Sequence, residues 1–121
     1  MNDLLFKLCS AIATEEGFFT PGSLPARNNN PGDLRAGPWL NKAVVKGGFW
    51  QAANLQEGIA GLYHQVALDI ARGYTLRQLI STWAPPSENN TEAYLAAVAA
   101  KVGIAANDPK PLYDYLTIEK I

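Results

Sequence analysis

Hydrophobic residues recur at helical spacing through most of the chain, and cap-type residues mark where the predicted helices begin and end. The first segment carries Leu4, Leu8 and Ile12 on one face. Gly17 favours a helix stop, so this helix is predicted to run from about residue 3 to Glu16.

A second helix is predicted after Asn54, because Asn54 and Glu57 have the spacing of a capping box. Gly73 is its expected stop. Its apolar face is predicted to consist of Leu55, Ile59, Leu62, Val66 and Ile70.

Three shorter helices are predicted in the second half of the chain. Thr75 is expected to cap the first, which Pro85 ends because proline cannot continue a helix. Thr91 is expected to cap the next, which closes at Gly103. A last helix is predicted to begin near Asp108.

Residues 20–40 read TPGSLPARNNNPGDLRAGPWL and show no regular period. A loop of this length in a small domain more often serves a function than not. The following VVKGGFW predicts one short β-hairpin around Gly47–Gly48. We therefore predict one all-α domain over residues 1–121, with this hairpin as its only β-structure.

Charge and composition exclude several classes of function. Ten basic and eleven acidic residues give a net charge of −1 without a basic run, which argues against a nucleic-acid partner. Cys9 is the only cysteine and His64 the only histidine, so we expect no intramolecular disulfide, metal site or cofactor. Cys9 is predicted to be a small buried hydrophobe. No apolar run approaches the length of a membrane span.

Glu15–Glu16–Gly17 places two carboxylates in the last turn of the first helix. The helix dipole is negative there, and burial beside Phe18 would also favour the neutral acid. A carboxylic acid that stays protonated can donate a proton to a leaving glycosidic oxygen. Periodicity does not choose between the two glutamates, and a solvated helix end is the plainer interpretation of this motif taken alone.

The segment RNNNPGDLR supplies a predicted Pro31–Gly32 turn, with glycine taking a positive φ. Asn28, Asn29 and Asn30 supply amides that both donate and accept, which suits the hydroxyl and N-acetyl groups of a neutral sugar. Runs of asparagine are also common in plain loops, which is the plainer interpretation of this segment taken alone. Asp33 is expected to accept bonds from nearby backbone N–H groups and to stay ionised.

Several aromatic residues lie at predicted loops or helix ends, where sugar rings could stack on them. Core packing explains most aromatics in a domain of this size, so we assign about two of them to substrate, with Trp83 as one candidate. The full set is Phe18, Phe19, Trp39, Phe49, Trp50, Trp83 and Tyr94.

Taken in order, Glu-Gly-Phe, RNNNPGDLR, Glu57–Gly58 and WAPPSENNTEAYLAAV resemble phage-encoded and prophage-encoded lysozyme-like proteins with an Asn-Asn-Pro-Gly-Asn-Leu-Arg motif. The resemblance covers roughly residues 8–104. These proteins are more distantly similar to soluble lytic transglycosylases and goose-type lysozymes. The resemblance implies a lysozyme-like fold and cleavage of peptidoglycan glycan strands.

The resemblance also implies roles for single residues. The glutamate directly before glycine would be the catalytic acid, which is Glu16. Asn29 and Asn30 would lie across the cleft from it, and Tyr94 would line the floor. Asp33 departs from the pattern, since the family commonly has asparagine there, and could supply a second carboxylate.

Two reactions stay open at this point, because either water or the sugar's own 6-hydroxyl could attack after Glu16 protonates the oxygen. A non-catalytic glycan-binding or structural component of a virion or secretion machine is the alternative to an enzyme. No export signal is visible near the first residues, so we expect synthesis in the cytoplasm and another route to the periplasm or cell wall. The oligomeric state is not predicted.

Overall fold

The computed structural model describes residues 3–35, 48–87 and 90–119, with side chains as far as residue 116. It is mainly helical, which confirms the all-α prediction. The helices are α1 (Asp3–Glu15), α2 (Leu24–Arg27), α3 (Leu55–Ala71), α4 (Leu76–Trp83), α5 (Thr91–Val102) and α6 (Leu112–Glu119). Within these ranges, no helix combines the length and the apolar character that a membrane crossing requires.

The β-structure among the described residues is one isolated antiparallel bridge between Arg35 and Phe49. The predicted turn at Gly47–Gly48 falls partly outside them, because Gly47 belongs to the stretch that is not described. Helix α2 was not predicted. Ser23 caps it by accepting a hydrogen bond from the Ala26 N–H, so four residues of the irregular stretch are helical.

The chain divides into two compact units. The first, Ile12–Gln65, contains the end of α1, the asparagine-rich segment and the start of α3, and we call it the loop unit. The second runs up to Ala11 and continues from Val66 onward, and we call it the helical unit.

Each unit has its own buried apolar residues. In the loop unit these include Ile12, Ala13, Trp50, Ala52 and Leu62. In the helical unit they include Leu4, Leu8, Cys9, Val66, Ile70, Leu76, Leu79, Ile80, Leu95, Val98 and Leu112. Burial raises the pKa of the Cys9 thiol to about 12, as fits its predicted role as a hydrophobe.

The predicted apolar face of α3 is correct for its later turns only. Leu62, Val66 and Ile70 are buried, whereas Leu55 and Ile59 are 43% and 42% exposed. The apolar period continues into the first turn of α3, but the described part of the chain leaves Leu55 and Ile59 partly exposed.

The predicted capping residue is correct for α4 and wrong for α5. Thr75 and Gln78 form a complete capping box. The cap of α5 is Asn90 and not Thr91, because the Asn90 side chain accepts from the Ala93 N–H. The Thr91 hydroxyl instead donates to the carbonyl of Ala84.

The last helix, α6, begins at Leu112, four residues later than the predicted start at Asp108. The Asp108 carboxylate accepts from the Lys110 N–H, at 2.9 Å, and from the Tyr115 hydroxyl. Both contacts lower the pKa of Asp108. A turn stabilised by this carboxylate therefore occupies the predicted first turn of the helix.

Candidate functional site

Glu16 lies at the carboxyl end of α1 and follows its last helical residue. Gly17 has a φ of 82°. The Phe18 N–H donates to the Ala13 carbonyl at 3.0 Å, and the Gly17 N–H donates to the Thr14 carbonyl at 3.1 Å. This pattern is a Schellman motif, in which glycine takes the left-handed position. The motif fixes the backbone that carries Glu16.

Burial does not distinguish the two glutamates, because Glu15 and Glu16 are both half-buried. The aromatic residues that follow lie edge to face, with the ring centroids of Phe18 and Phe19 5.2 Å apart. Phe19 is 66% exposed and Phe18 is half-buried. An exposed aromatic face thus lies three residues from Glu16 in the chain.

The asparagine-rich segment turns at Pro31–Gly32, where the Asp33 N–H donates to the Asn30 carbonyl at 2.9 Å. The left-handed backbone conformation falls on Asn29, with φ 50°, and on Asp33, with φ 49°, and not on Gly32 as predicted. Asparagine and aspartate are the non-glycine residues that best tolerate this conformation. The residue types at both positions therefore suit the loop backbone.

Asn30 is fully buried and bonded inside the loop. Its side-chain amide donates to the carbonyls of Leu34 and Trp50, each at 2.9 Å, and its oxygen accepts from the Leu34 N–H at 2.9 Å. The side chain that was predicted to bind sugar thus uses its hydrogens on the protein's own backbone. We assign Asn30 to the framework of the loop.

The other two asparagines differ from Asn30. Asn28 is 4% exposed, and its Nδ2 finds no hydrogen-bond partner among the described residues. Asn29 is half-buried, and no hydrogen bond joins its side chain to another described residue. Of the three amides, that of Asn29 is therefore the one that is both partly accessible and uncommitted within the described part of the chain.

The loop is tied to the residues that precede α3. The Trp50 N–H donates to the Leu34 carbonyl at 2.8 Å, and the Ala52 N–H donates to the Asn28 carbonyl at 3.0 Å. The Arg35 guanidinium lies 4.4 Å from the ring centre of Phe49. Together with the Asn30 bonds, these contacts hold both ends of the turn.

Helix α3 meets the loop at Gly58. A Cβ added to Gly58 would lie 1.7 Å from the carbonyl oxygen of Asn29 and 3.1 Å from Cδ of Pro31. No residue with a side chain fits there without a shift of the backbone. The sequence identifies Glu57–Gly58 only as part of the resemblance, although a glycine inside a helical pattern can indicate a packing constraint.

The start of α3 is capped beside this contact. The Asn54 side chain accepts from the Glu57 N–H at 2.8 Å, as predicted. The Glu57 carboxylate accepts from the Ala53 N–H at 3.0 Å, one residue before the Asn54 N–H that a standard capping box uses. The cap therefore fixes the first turn of α3, and with it Gly58.

Asp33 does not behave as expected. Its Oδ1 is buried and finds no hydrogen-bond partner in the described part of the chain. Burial raises the pKa of this carboxyl group, and the charge of Arg35 opposes that rise. The expectation that backbone N–H groups bond to this carboxylate is therefore wrong for Oδ1, and the shift of its pKa is opposite to the one that such bonds would cause.

The remaining predicted residues belong to the helical unit. Trp83 ends α4 and is half-buried, and Tyr94 on α5 is 8% exposed. The structure thus places Glu16, Asn29, Asn30 and Asp33 in the loop unit, and Trp83 and Tyr94 in the helical unit. Trp39 lies outside the described residues.

Comparison with known proteins identifies no relative: no family model matches the chain, and neither does any curated protein or solved structure. The function therefore has to be argued from the residues of the chain itself.

Proposed function

We propose that this chain cleaves the glycan strands of peptidoglycan at the bond between N-acetylmuramic acid and N-acetylglucosamine, and that Glu16 is the general acid. The finer assignment of the fold as lysozyme-like belongs to the same proposal. It rests on the resemblance carried by Glu-Gly-Phe, the asparagine-rich segment and Glu57–Gly58.

The contact between Asn29 and Gly58 is the observation that most supports this proposal. Two segments that carry the resemblance lie almost thirty residues apart in sequence. They meet where the backbone of Asn29 leaves room only for glycine at position 58. The asparagine-rich segment and Glu57–Gly58 therefore act as one constellation, in the unit that also contains Glu16.

The chemistry that we assign follows from the side chains. Glu16 would donate its proton to the glycosidic oxygen while the bond to the muramic acid carbon breaks through an oxocarbenium-like transition state. The Asn29 amide would bind hydroxyl or acetamido groups of the strand, since it can both donate and accept. Glu16, now a carboxylate, would then act as base toward either water or the sugar's 6-hydroxyl.

Glu16→Gln tests the proposal, because glutamine preserves the shape of the side chain but cannot donate the proton. We expect turnover of purified peptidoglycan to fall about 10²–10⁴-fold, with an unchanged melting curve. Glu15→Gln is the matched control and should have a much smaller effect. If Glu15→Gln abolished activity and Glu16→Gln did not, the assignment of the acid would be wrong.

Two further readouts complete the test. Mass spectrometry of the products would distinguish anhydro ends, from attack by the 6-hydroxyl, from the reducing ends that hydrolysis leaves. If the wild-type chain sediments with peptidoglycan but releases no fragments, the enzymatic function is wrong. The chain would then be the glycan-binding component described above.

A further inference from the structure

Gly58 is the point at which α3 supports the asparagine-rich segment. Its first helical hydrogen bond is in place, because the Gly58 N–H donates to the Asn54 carbonyl at 3.2 Å. Glycine weakens a helix interior relative to alanine, so its presence in the first turn of α3 calls for a reason outside the helix. The backbone of Asn29, 1.7 Å from the position of an added Cβ, supplies that reason.

The loop has little freedom to move away from a larger residue at this position. Asn28, directly before Asn29, accepts from the Ala52 N–H at 3.0 Å. Asn30, directly after it, donates from its backbone N–H to the Pro25 carbonyl at 2.9 Å. Because both neighbours are held, the Asn29 carbonyl could withdraw from a Cβ only if these bonds were stretched or broken.

A second constraint acts on Asn29 itself. Its φ of 50° lies in the left-handed region, which non-glycine residues rarely adopt. The surrounding bonds hold it there, and strained backbone of this kind persists when the surroundings over-determine it. The orientation of the Asn29 side chain therefore depends on how closely α3 approaches its carbonyl.

We propose that Gly58 is a positioning residue, which sets the position of Asn29 against α3 and through it the affinity for the glycan strand. This inference rests on the proposed function, since it takes Asn29 to bind that strand. Gly58 does not itself contact substrate in this scheme, and the proposed proton donor Glu16 follows the end of α1, not α3.

Gly58→Ala is the test, with Ala60→Gly as the control. Ala60 lies two residues further along α3 and is exposed, so glycine there weakens the helix without touching the loop. Both variants are compared with the wild type by melting temperature and by initial rate against glycan-strand concentration. We expect Gly58→Ala to lower the melting temperature and to raise the half-saturating concentration about tenfold, which corresponds to the loss of one hydrogen bond. The maximal rate should change less.

The outcomes separate this inference from the proposed function. If wild-type protein releases no fragments, the proposed function fails. If wild type is active and Gly58→Ala melts higher with an unchanged half-saturating concentration, the positioning role is overturned, because alanine would then act only through helix propensity.

If Gly58→Ala does not fold, Asn29→Gly decides instead. Glycine keeps the positive φ and the contact with α3 but removes the amide. An increase in the half-saturating concentration with a retained fold supports the inference, and an unchanged value overturns it.

Discussion

The two units of this protein are each stabilised by a different kind of interaction. The helical unit has apolar side chains buried along α3, α4 and α5, and its helices begin at local caps. The loop unit also buries apolar residues, but its asparagine-rich segment is ordered by hydrogen bonds between side chains and distant backbone groups and by one glycine contact. Periodic burial specifies the first kind of region, whereas single polar residues specify the second.

This difference has a consequence for mutations. An apolar side chain in a helix shares its contribution with many neighbours, and related side chains can replace it. Asn30 cannot be replaced in this way, because its three bonds require both a donor and an acceptor in one geometry. The candidate site therefore depends on a few residues that cannot be replaced without loss of specific hydrogen bonds.

The largest effect on stability that we expect within the asparagine-rich segment is that of Asn30→Ala. The change removes three hydrogen bonds in a buried position, which should cost about 3 kcal/mol in the free energy of unfolding. Urea denaturation at neutral pH measures it. Asn28→Ala is the matched control, since Asn28 is similarly buried but its Nδ2 lacks a partner among the described residues. Equal losses for the two variants would refute the framework role of Asn30.

Caps should have a smaller effect, and a similar one in the two units, because they act within one helical turn. We expect Thr75→Ala in the helical unit and Asn54→Ala in the loop unit each to cost about 1 kcal/mol. The same denaturation experiment applies. A loss for Asn54→Ala as large as that for Asn30→Ala would mean that the cap itself fixes the loop.

The smallest expected effect is that of Asp33→Asn, and it depends on pH. Burial raises the pKa of Asp33 in the folded state, so its ionisation disfavours folding as the pH rises above the ordinary value of 3.8. Asparagine tolerates the same left-handed backbone and carries no charge. The variant should melt slightly above the wild type at pH 7, and the difference should vanish near pH 3. A difference that did not change with pH would exclude this cause.

The capping residues and the apolar periodicity of the sequence were sufficient to predict the helices of the second half. Thr75 and Gln78 predict α4 because a capping box is a contact within four residues, and Gly17 and Gly73 predict helix ends through their positive φ. The error at the start of α5 arose because two local signals competed. Asn90 and Thr91 can both cap a helix, and only the distant Ala84 carbonyl, which accepts from the Thr91 hydroxyl, decides between them.

The sequence by itself therefore determined the helical class and most helix ends, and it supplied the residues of the candidate site. Only the tertiary structure decided which of the asparagines is framework and which is available, because that depends on Trp50, twenty residues away from Asn30. It also decided that Gly58 is needed, since the carbonyl that excludes a side chain belongs to Asn29. Local patterns record contacts within a few residues, and these two contacts join parts of the chain that only folding brings together.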